Sequence, residues 1–481
     1  MFGLRTVFHI LGWVTCMIGI MLVLPAFTDL AYDNADWRIF ALSSCLPLFF
    51  GTIMVIATYS PPPLRLNFRQ AYLVIILGWL LVAALGAIPF LGLGIRFVDA
   101  LFESMSGLTT TGSTILTGLD SLPPGMLLWR ATLQWIGGIG IIAISVLIMP
   151  FLRVGGMQLF QVESSDPFQD RIGSMFKTLR LLVDVYLVLT LACALTYFFL
   201  GMSGFDAVTH AMTTLSTGGF STHDASFAYF KNPWLHWAAG FFMICGAIPF
   251  LLYVKLSMGH VRELVRDAQV RGFLLFLAFT SLAMALWLMA QRDIGFFKAL
   301  TLTFFNVVSV VTTTGFASED YTVWGTGAVG VFLFLMFVGG CAGSTSGAIK
   351  IYRFQIMLIF LRRHIRQLFS PNRILSMRYN GRELSHDVPL SVLVFLSAFV
   401  VTVSLVTIVL SLLGLDIVTA YSASITAITN VGPGLGKIIG PSGNFQSLPD
   451  AAKAVLVFAM LAGRLEILGL LVVLEPDFWR G

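Results

Sequence analysis

Ser106-Gly-Leu-Thr-Thr-Thr-Gly112 occurs in this chain with three altered copies: Thr213-Thr-Leu-Ser-Thr-Gly-Gly219, Ser309-Val-Val-Thr-Thr-Thr-Gly315 and Thr426-Ala-Ile-Thr-Asn-Val-Gly432. Aligned on the last glycine, every copy has a hydroxyl residue six and three positions earlier, and Thr or Asn two positions earlier. The glycines lie 107, 96 and 117 residues apart. Each copy sits in a short apolar stretch, at 99–111, 206–217, 302–314 and 416–431. Segments of about 10–14 residues are too short to cross a bilayer, and these are too apolar to be solvated loops. One copy alone reads as a helix C-terminus stopped by glycine. Four copies in register read as internal repetition and pseudo-symmetry.

Longer apolar stretches surround them, near 7–27, 39–58, 70–93, 127–150, 178–201, 234–257, 272–291, 326–361, 388–414 and 449–474. Each is long enough to span a membrane as a helix, which takes about 20 residues. The first is read as a span rather than a cleaved leader. The expected unit is span, half-helix, glycine loop, span. It occurs four times, at 67–154, 155–260, 261–384 and 385–481, after a two-span preface at 1–66. The fold class is therefore an all-α polytopic membrane protein, with two N-terminal helices and four helix–pore loop–helix repeats around a single pseudo-four-fold pore.

Composition agrees. Of 481 residues, 57% are hydrophobic and 11% charged, against about 25% charged in a soluble domain. A soluble enzyme and a disordered chain are both excluded. The five cysteines are scattered and form no CxxC pair, so packing explains them better than redox or metal chemistry. About twenty of the 29 Lys and Arg fall in one set of loops, among them Arg65, Arg153 and the run from Arg362 to Arg382. The positive-inside rule makes that side cytoplasmic. Both termini are then expected inside, and all four short segments open to the outside.

The residue types suggest a cation path. Four half-helices pointing inward bring the negative ends of their dipoles toward one axis. The loops can present backbone carbonyls in place of water, as potassium filters do. Glycine permits the dihedrals that aim such carbonyls. The expected filter oxygens belong to Thr110, Thr111, Gly112 and Ser113; Thr217, Gly218, Gly219 and Phe220; Thr313, Thr314, Gly315 and Phe316; and Asn430, Val431, Gly432 and Pro433. No catalytic triad, P-loop or carboxylate pair is present, and Gly137-Gly138-Ile-Gly140 lacks dinucleotide-binding spacing and reads as close packing. A polytopic membrane enzyme is the alternative of another class. Arg464 and Glu466 are nearly all the intramembrane ionisable chemistry it would have.

The motifs at 106–112, Gly-Gly-Phe-Ser-Thr-His-Asp-Ala-Ser at 218–226, Gly-Gly-Cys-Ala-Gly-Ser-Thr at 339–345, Asn-Val-Gly-Pro-Gly-Leu-Gly at 430–436 and Gly-Arg-Leu-Glu at 463–466 are specific in combination. With them the chain resembles, along essentially its whole length, the pore subunits of bacterial Trk potassium uptake systems, the TrkH/TrkG branch of the Trk/Ktr/HKT superfamily. The resemblance implies transported K+ ions, no organic cofactor in this chain and an inner-membrane location. It further implies a homodimer in membrane lipid and a cytosolic NAD(H)- or ATP-binding regulatory subunit of the TrkA type. No nucleic-acid partner is expected. Relatives with serine in place of the first glycine tend to pass sodium. All four glycines are kept here, which favours potassium, although Gly218 and Val431 depart from strict repetition. A sodium-permeable or weakly selective transporter is the alternative within transport.

The stretch 326–361 is too long for one plain span and is interrupted by Gly339-Gly340-Cys-Ala-Gly343-Ser344-Thr345-Ser346-Gly347. Each glycine weakens a helix by about 1 kcal/mol relative to alanine. A break at mid-membrane must line a cavity. The resemblance makes it an intramembrane loop that gates the pore below the filter; helix packing through small residues is the other reading. Arg464 lies within an apolar span and needs a partner or a watery cavity. The family match makes it an electrostatic barrier by that loop. A structural pair with Glu466 or a loop carbonyl is the alternative. Lys350 and Arg353 either tether the inner half of the broken helix or mark topology. Glu103, His210 and Asn306, each nine positions before a repeat glycine, are expected to anchor the half-helices. His223 and Asp224 are expected to cap the second loop.

Overall fold

Runs of apolar residues fold as helices here because a backbone in hydrocarbon has no other partner for its N–H and C=O groups. The computed structural model describes residues 4–59, 67–148, 168–372, 375–385 and 387–480. Arg65, Arg153 and Arg373 of the basic loops, and the repeat boundaries expected at 66 and 154, lie outside them.

The preface comprises α1 (Leu4–Met21), α2 (Val23–Ala31) and α3 (Trp37–Ala57). Close α1–α3 packing depends on small residues: a Cβ at Gly51 would lie 2.8 Å from the backbone nitrogen of Cys16. Repeat 1 is α4 (Phe68–Leu91), the half-helix α5 (Phe97–Leu108) and α6 (Pro124–Ile148). Repeat 2 is α7 (Phe168–Phe199), α8 (Gly204–Leu215), α9 (Pro233–Ala247) and α10 (Phe250–Ser257). A short α11 (Val261–Arg266) leads to repeat 3: α12 (Ala268–Arg292), α13 (Phe296–Val311), α14 (Thr326–Leu335) and α15 (Ile351–Phe369). Repeat 4 is α16 (Asp387–Leu412), α17 (Ile417–Thr429), α18 (Gly436–Ile439), α19 (Asp450–Arg464) and α20 (Leu468–Leu474), followed by α21 (Pro476–Arg480).

The expected half-helices are present as α5, α8, α13 and α17. Two begin at side-chain caps, where Ser203 Oγ accepts from Asp206 N at 3.0 Å and Asp416 Oδ2 accepts from Thr419 N at 3.0 Å; such caps satisfy otherwise orphaned donors. In three repeats the second long helix packs on the next repeat's half-helix: α6 on α8, α9 on α13, and α19 on α5. The last of these closes the ring. Outward faces carry exposed apolar side chains such as Phe279 and Leu412, which suits lipid. The half-helices and the loops after them carry buried Ser, Thr and Asn.

Two expected spans are not straight. Among the described residues seven helices are long and apolar enough to cross a membrane, or nine if each of two bent pairs counts as one span. The stretch expected at 234–257 bends by 92° between α9 and α10, and that at 449–474 bends by 106° between α19 and α20. The first bend falls at Ile248-Pro249, where Ile248 takes an extended backbone because proline disfavours helix in the residue before it. The second falls at Glu466 and Ile467, both at positive φ, and no residue there announces it. The break in repeat 3 is wider than 339–347. Helix stops at Leu335 and resumes at Ile351, and the intervening loop is closed by parallel pairing of Val338–Gly339 (β1) with Ile349–Lys350 (β2).

Candidate ion pathway

All four half-helices end the same way. The residue two before each glycine adopts a left-handed φ, at Thr110 (53°), Thr217 (50°), Thr313 (59°) and Asn430 (55°). The next residue donates its N–H back to the carbonyl six positions before the glycine: Thr111 to Ser106, Gly218 to Thr213, Thr314 to Ser309 and Val431 to Thr426, at 2.8–3.1 Å. This is the Schellman closure, in which a left-handed residue turns the chain out of the helix. It explains the Asn two positions before the fourth glycine but not the Thr at the other three, where a β-branched side chain disfavours left-handed φ. Asn tolerates left-handed φ well, and at all four positions the backbone bond holds the residue there.

The four glycines are also left-handed, with φ of 83°, 76°, 83° and 108° at Gly112, Gly219, Gly315 and Gly432. Their contacts run in a closed circle. A Cβ at Gly112 would meet Gly218 O, one at Gly219 would meet Thr314 O, one at Gly315 would meet Val431 O, and one at Gly432 would lie 2.8 Å from Thr111 O. In each case the carbonyl one residue before a glycine packs against the glycine of the preceding repeat. Side chains close the same seam between repeats 4 and 1. Ser113 Oγ donates to Gly432 O at 2.7 Å, and Asn430 Nδ2 donates to Thr111 Oγ1 at 2.9 Å. Phe220, Phe316 and Val431 are buried beside the ring. The segments expected to form a filter, 110–113, 217–220, 313–316 and 430–433, thus converge.

Behind the ring, each half-helix holds the segment that follows its glycine. Glu103 accepts from Ile115 N at 3.0 Å and from Thr114 Oγ1, and pairs with Arg130 Nε at 2.8 Å. His210 Nε2 lies 3.0 Å from Ser221 Oγ. Asn306 Nδ2 donates to Ser318 Oγ at 2.8 Å. The three residues that share one repeat position do the same work, with a charged, an aromatic and an amide group. In repeat 4 that position is Ala423, and the neighbouring Ser422 reaches Leu435 O at 3.3 Å instead. Outside these, His223 Nδ1 lies 2.5 Å from Asp120 Oδ1 and its Nε2 lies 3.6 Å from Asp206 Oδ1, while Asp224 Oδ2 accepts from Leu119 N at 3.1 Å. His223 and Asp224 therefore tie repeat 2 to the loop after the first glycine.

The glycine-rich segment of repeat 3 lies against the inner ends of three half-helices. Thr345 Oγ1 is 3.1 Å from Leu215 O, at the end of α8, and 3.2 Å from Thr217 Oγ1. Ser346 Oγ donates to Thr312 O at 2.6 Å, and Gly347 N to Thr313 Oγ1 at 2.7 Å, at the end of α13. Ala348 N donates to Thr429 O at 2.9 Å, at the end of α17. The carbonyls among these acceptors belong to the groups a helix C-terminus leaves unsatisfied. Gly339 packs against Gly347 O, Gly340 against Ala247, Ser344 Oγ donates to Cys341 O, and Gly343 O accepts from Phe250 N at the α9–α10 bend. The bend and the loop therefore fit each other.

Arg464, at the end of α19, is almost wholly buried and donates Nη1 to Thr345 O at 2.9 Å. Its partner is thus a loop carbonyl. Glu466 instead pairs with Arg353 at 2.5 Å, and Lys350 Nζ donates to Ser346 O. Lys350 and Arg353 act on the loop and on the repeat 4 bend, beyond marking topology. Close packing accounts for Gly137, whose Cβ would strike Leu108 O at the end of α5. Gly246 and Gly463 stand in the same relation to Leu215 O and Ile428 O. Two residues of α6 escaped sequence reading, Arg130, which pairs with Glu103, and Gln134. Gln134 on α6 hydrogen-bonds the second loop at Gly218 O and Phe220 N, and a lone Gln in an apolar span is the sole trace it leaves.

The comparisons with known proteins agree with this architecture. Residues 48–479 match the TrkH family, described as cation transport proteins. The chain is 44% identical to the Trk system potassium uptake protein TrkI of Halomonas elongata, over 98% of this chain and 96% of that one. It is 36% identical to the Trk system potassium uptake protein TrkH of Salmonella typhimurium, over 99% of both. The crystal structure of the potassium transporter TrkH from Vibrio parahaemolyticus superposes with a TM-score of 0.91 at 32% identity, covering 99% of this chain and all of that one. By motif, full-length similarity and fold, the chain belongs to the TrkH family of cation transport proteins.

Proposed function

We propose that this chain takes up potassium across a bacterial inner membrane, through a filter built from backbone oxygens of 110–113, 217–220, 313–316 and 430–433. The observation that carries the reading is the closed circle of four left-handed glycines, each packed against the carbonyl of the next repeat. A ring of this kind sets the spacing of its oxygens through backbone contacts, and oxygens at fixed spacing can replace a cation's water. The buried Thr, Ser and Asn add neutral oxygen ligands rather than a ring of acids. The names of the relatives, all potassium uptake proteins, support the same ion.

The loop 339–347 and Arg464 serve as the gate. The loop and the adjoining Ala348 span the inner ends of three half-helices, and a buried guanidinium below a cation filter repels the cation that must pass it. The basic inner side, including Arg362 and Arg366, faces the cytoplasm with both termini. It receives a TrkA-like NAD(H)- or ATP-binding subunit, and the chain works as a homodimer. The unequal ring, with Gly218 and Val431 where repeats 1 and 3 have Thr, favours a potassium preference weaker than a symmetric filter would give. Purified protein in liposomes tests the reading. Potassium-dependent flux with a reversal potential favouring K+ over Na+ is expected, and no such flux with or without the regulatory subunit would refute it.

A further inference from the structure

Four residues precede the ring glycines: Thr111, Gly218, Thr314 and Val431. Gly218 alone among them lacks a side chain, and its backbone does not ask for glycine. Left-handed φ falls on Thr217 and Gly219, on either side of it, as it falls on the residues flanking Thr111 and Thr314. A side chain there would have to displace the Gln134 amide. A Cβ at position 218 would stand 2.5 Å from Gln134 Oε1 and 2.8 Å from its Nε2.

Gln134 belongs to α6, a long helix of repeat 1, and is fully buried. Its amide spans the second loop. Nε2 donates to Gly218 O at 2.6 Å and Oε1 accepts from Phe220 N at 3.0 Å. The second bond settles the amide's orientation, because a backbone N–H can only donate. Repeats 1 and 3 stiffen the same turn from within. Thr111 Oγ1 lies 2.7 Å from Thr109 Oγ1, and Thr314 Oγ1 lies 2.8 Å from Thr312 Oγ1. Repeat 2 has no hydroxyl at 218 to make that pair, and Ser216 Oγ turns to Thr213 O at 3.2 Å.

We infer that Gln134 is a positioning residue that sets cation selectivity at the second filter loop, supplying from the neighbouring repeat the brace that Thr111 and Thr314 give their own loops. This rests on the filter reading above. The exchange has an electrostatic consequence. Gly218 O lies against Gly112 in the ring and carries an amide donor, which fixes its direction and draws on its lone pairs. One quadrant of the ring thus pulls less on a cation while keeping its geometry.

The test uses the full chain in liposomes, with purified Gln134→Ala, Gln134→Met, Gly218→Thr and the double variant Gln134→Ala/Gly218→Thr, each first shown to elute as a single folded species. Unsubstituted protein without potassium-selective flux would end the filter reading, and this inference with it. Given that flux, Gln134→Ala and Gln134→Met are each expected to lower the K+/Na+ permeability ratio about tenfold, since two buried hydrogen bonds are lost. Gly218→Thr alone should abolish most flux by forcing the Gln134 amide off Gly218 O and Phe220 N. The double variant, in which the introduced hydroxyl can pair with Ser216, should return the ratio to within about threefold of the unsubstituted protein. Met fills the space of Gln without its donor, so an unchanged ratio in Gln134→Met would reduce Gln134 to filler. A fully active Gly218→Thr, or a folded double variant no better than the singles, would also overturn the inference.

Discussion

Arg464 donates a hydrogen bond to the carbonyl of Thr345 across 2.9 Å, joining the bend of repeat 4 to the broken helix of repeat 3. Two elements that each interrupt a span thereby become one unit beneath the ring. Removing the guanidinium takes away both the repulsive charge and the tether. Arg464→Ala is expected to raise rubidium tracer uptake several-fold. Arg464→Lys keeps the charge but not the planar donor fork and should fall between. Equal uptake in all three would remove Arg464 from the gate.

The loop itself makes a separate prediction. Thr345, Ser346 and Gly347 hold two half-helix ends, those of α8 and α13, through the bonds described above. Deleting 343–347 should raise ion flux in the absence of the regulatory subunit and weaken its control. Flux that stays at the unsubstituted level would show that these residues do not obstruct the path.

Gly112 combines a φ of 83° with a Cβ position occupied by Gly218 O. A side chain there meets backbone strain of roughly 1–2 kcal/mol and displaces a neighbouring ring carbonyl. Gly112→Ser is expected to reduce potassium preference over sodium by about tenfold or more, read as a shift in bi-ionic reversal potential. A preserved reversal potential would contradict the ring geometry.

Glu103 and Arg130 form an ion pair in which neither side chain is more than 1% exposed. Arg130 also donates to Ser221 O and lies over the Phe220 ring at 4.2 Å. Removing one partner leaves a buried charge uncompensated, at a cost of about 3–5 kcal/mol. Glu103→Gln should lower the melting temperature of the solubilised protein strongly. Replacing both partners with methionine should cost less than the single change. A Glu103→Gln protein as stable as the unsubstituted one would deny the pair its structural role.

In the loop after Gly219, burial works against a charge on His223, but the nearby Asp206 carboxylate and the hydrogen bond to Asp120 prevail and hold its pKa above the ordinary value. The charged form is therefore favoured by folding. Its contribution to stability is complete below the unfolded-state pKa of about 6.5 and is lost as pH rises through the folded-state value. The melting temperature should decline across that window, and His223→Gln should flatten the decline. An identical pH profile in the variant would rule out this pair as its source.

Much of the arrangement was legible in residue patterns because it is local. A half-helix, a hydroxyl six residues before a glycine and a left-handed turn between them are fixed within about eight residues, so four copies in register reveal the ring. The break near Gly339 was legible for the same reason, since glycine density is a property of a short window. The bend at Ile248 had a sign in Pro249 that the apolar run obscured. The bend at Glu466 and Ile467 had none, since both are ordinary helix-compatible residues held at positive φ by surrounding contacts.

Residue patterns alone were enough to read the class, the four-fold repetition and the candidate filter loops, while the gate reading of 339–347 and Arg464 came from the resemblance to Trk pore subunits. Periodicity, span length and turn chemistry all act between near neighbours. Only the tertiary structure decided what those parts touch. Gln134 reaches Gly218 across 84 residues and Arg464 reaches Thr345 across 119. No local pattern encodes such contacts, because they follow from how whole helices pack, and in this chain they decide which carbonyl is braced and which loop is held.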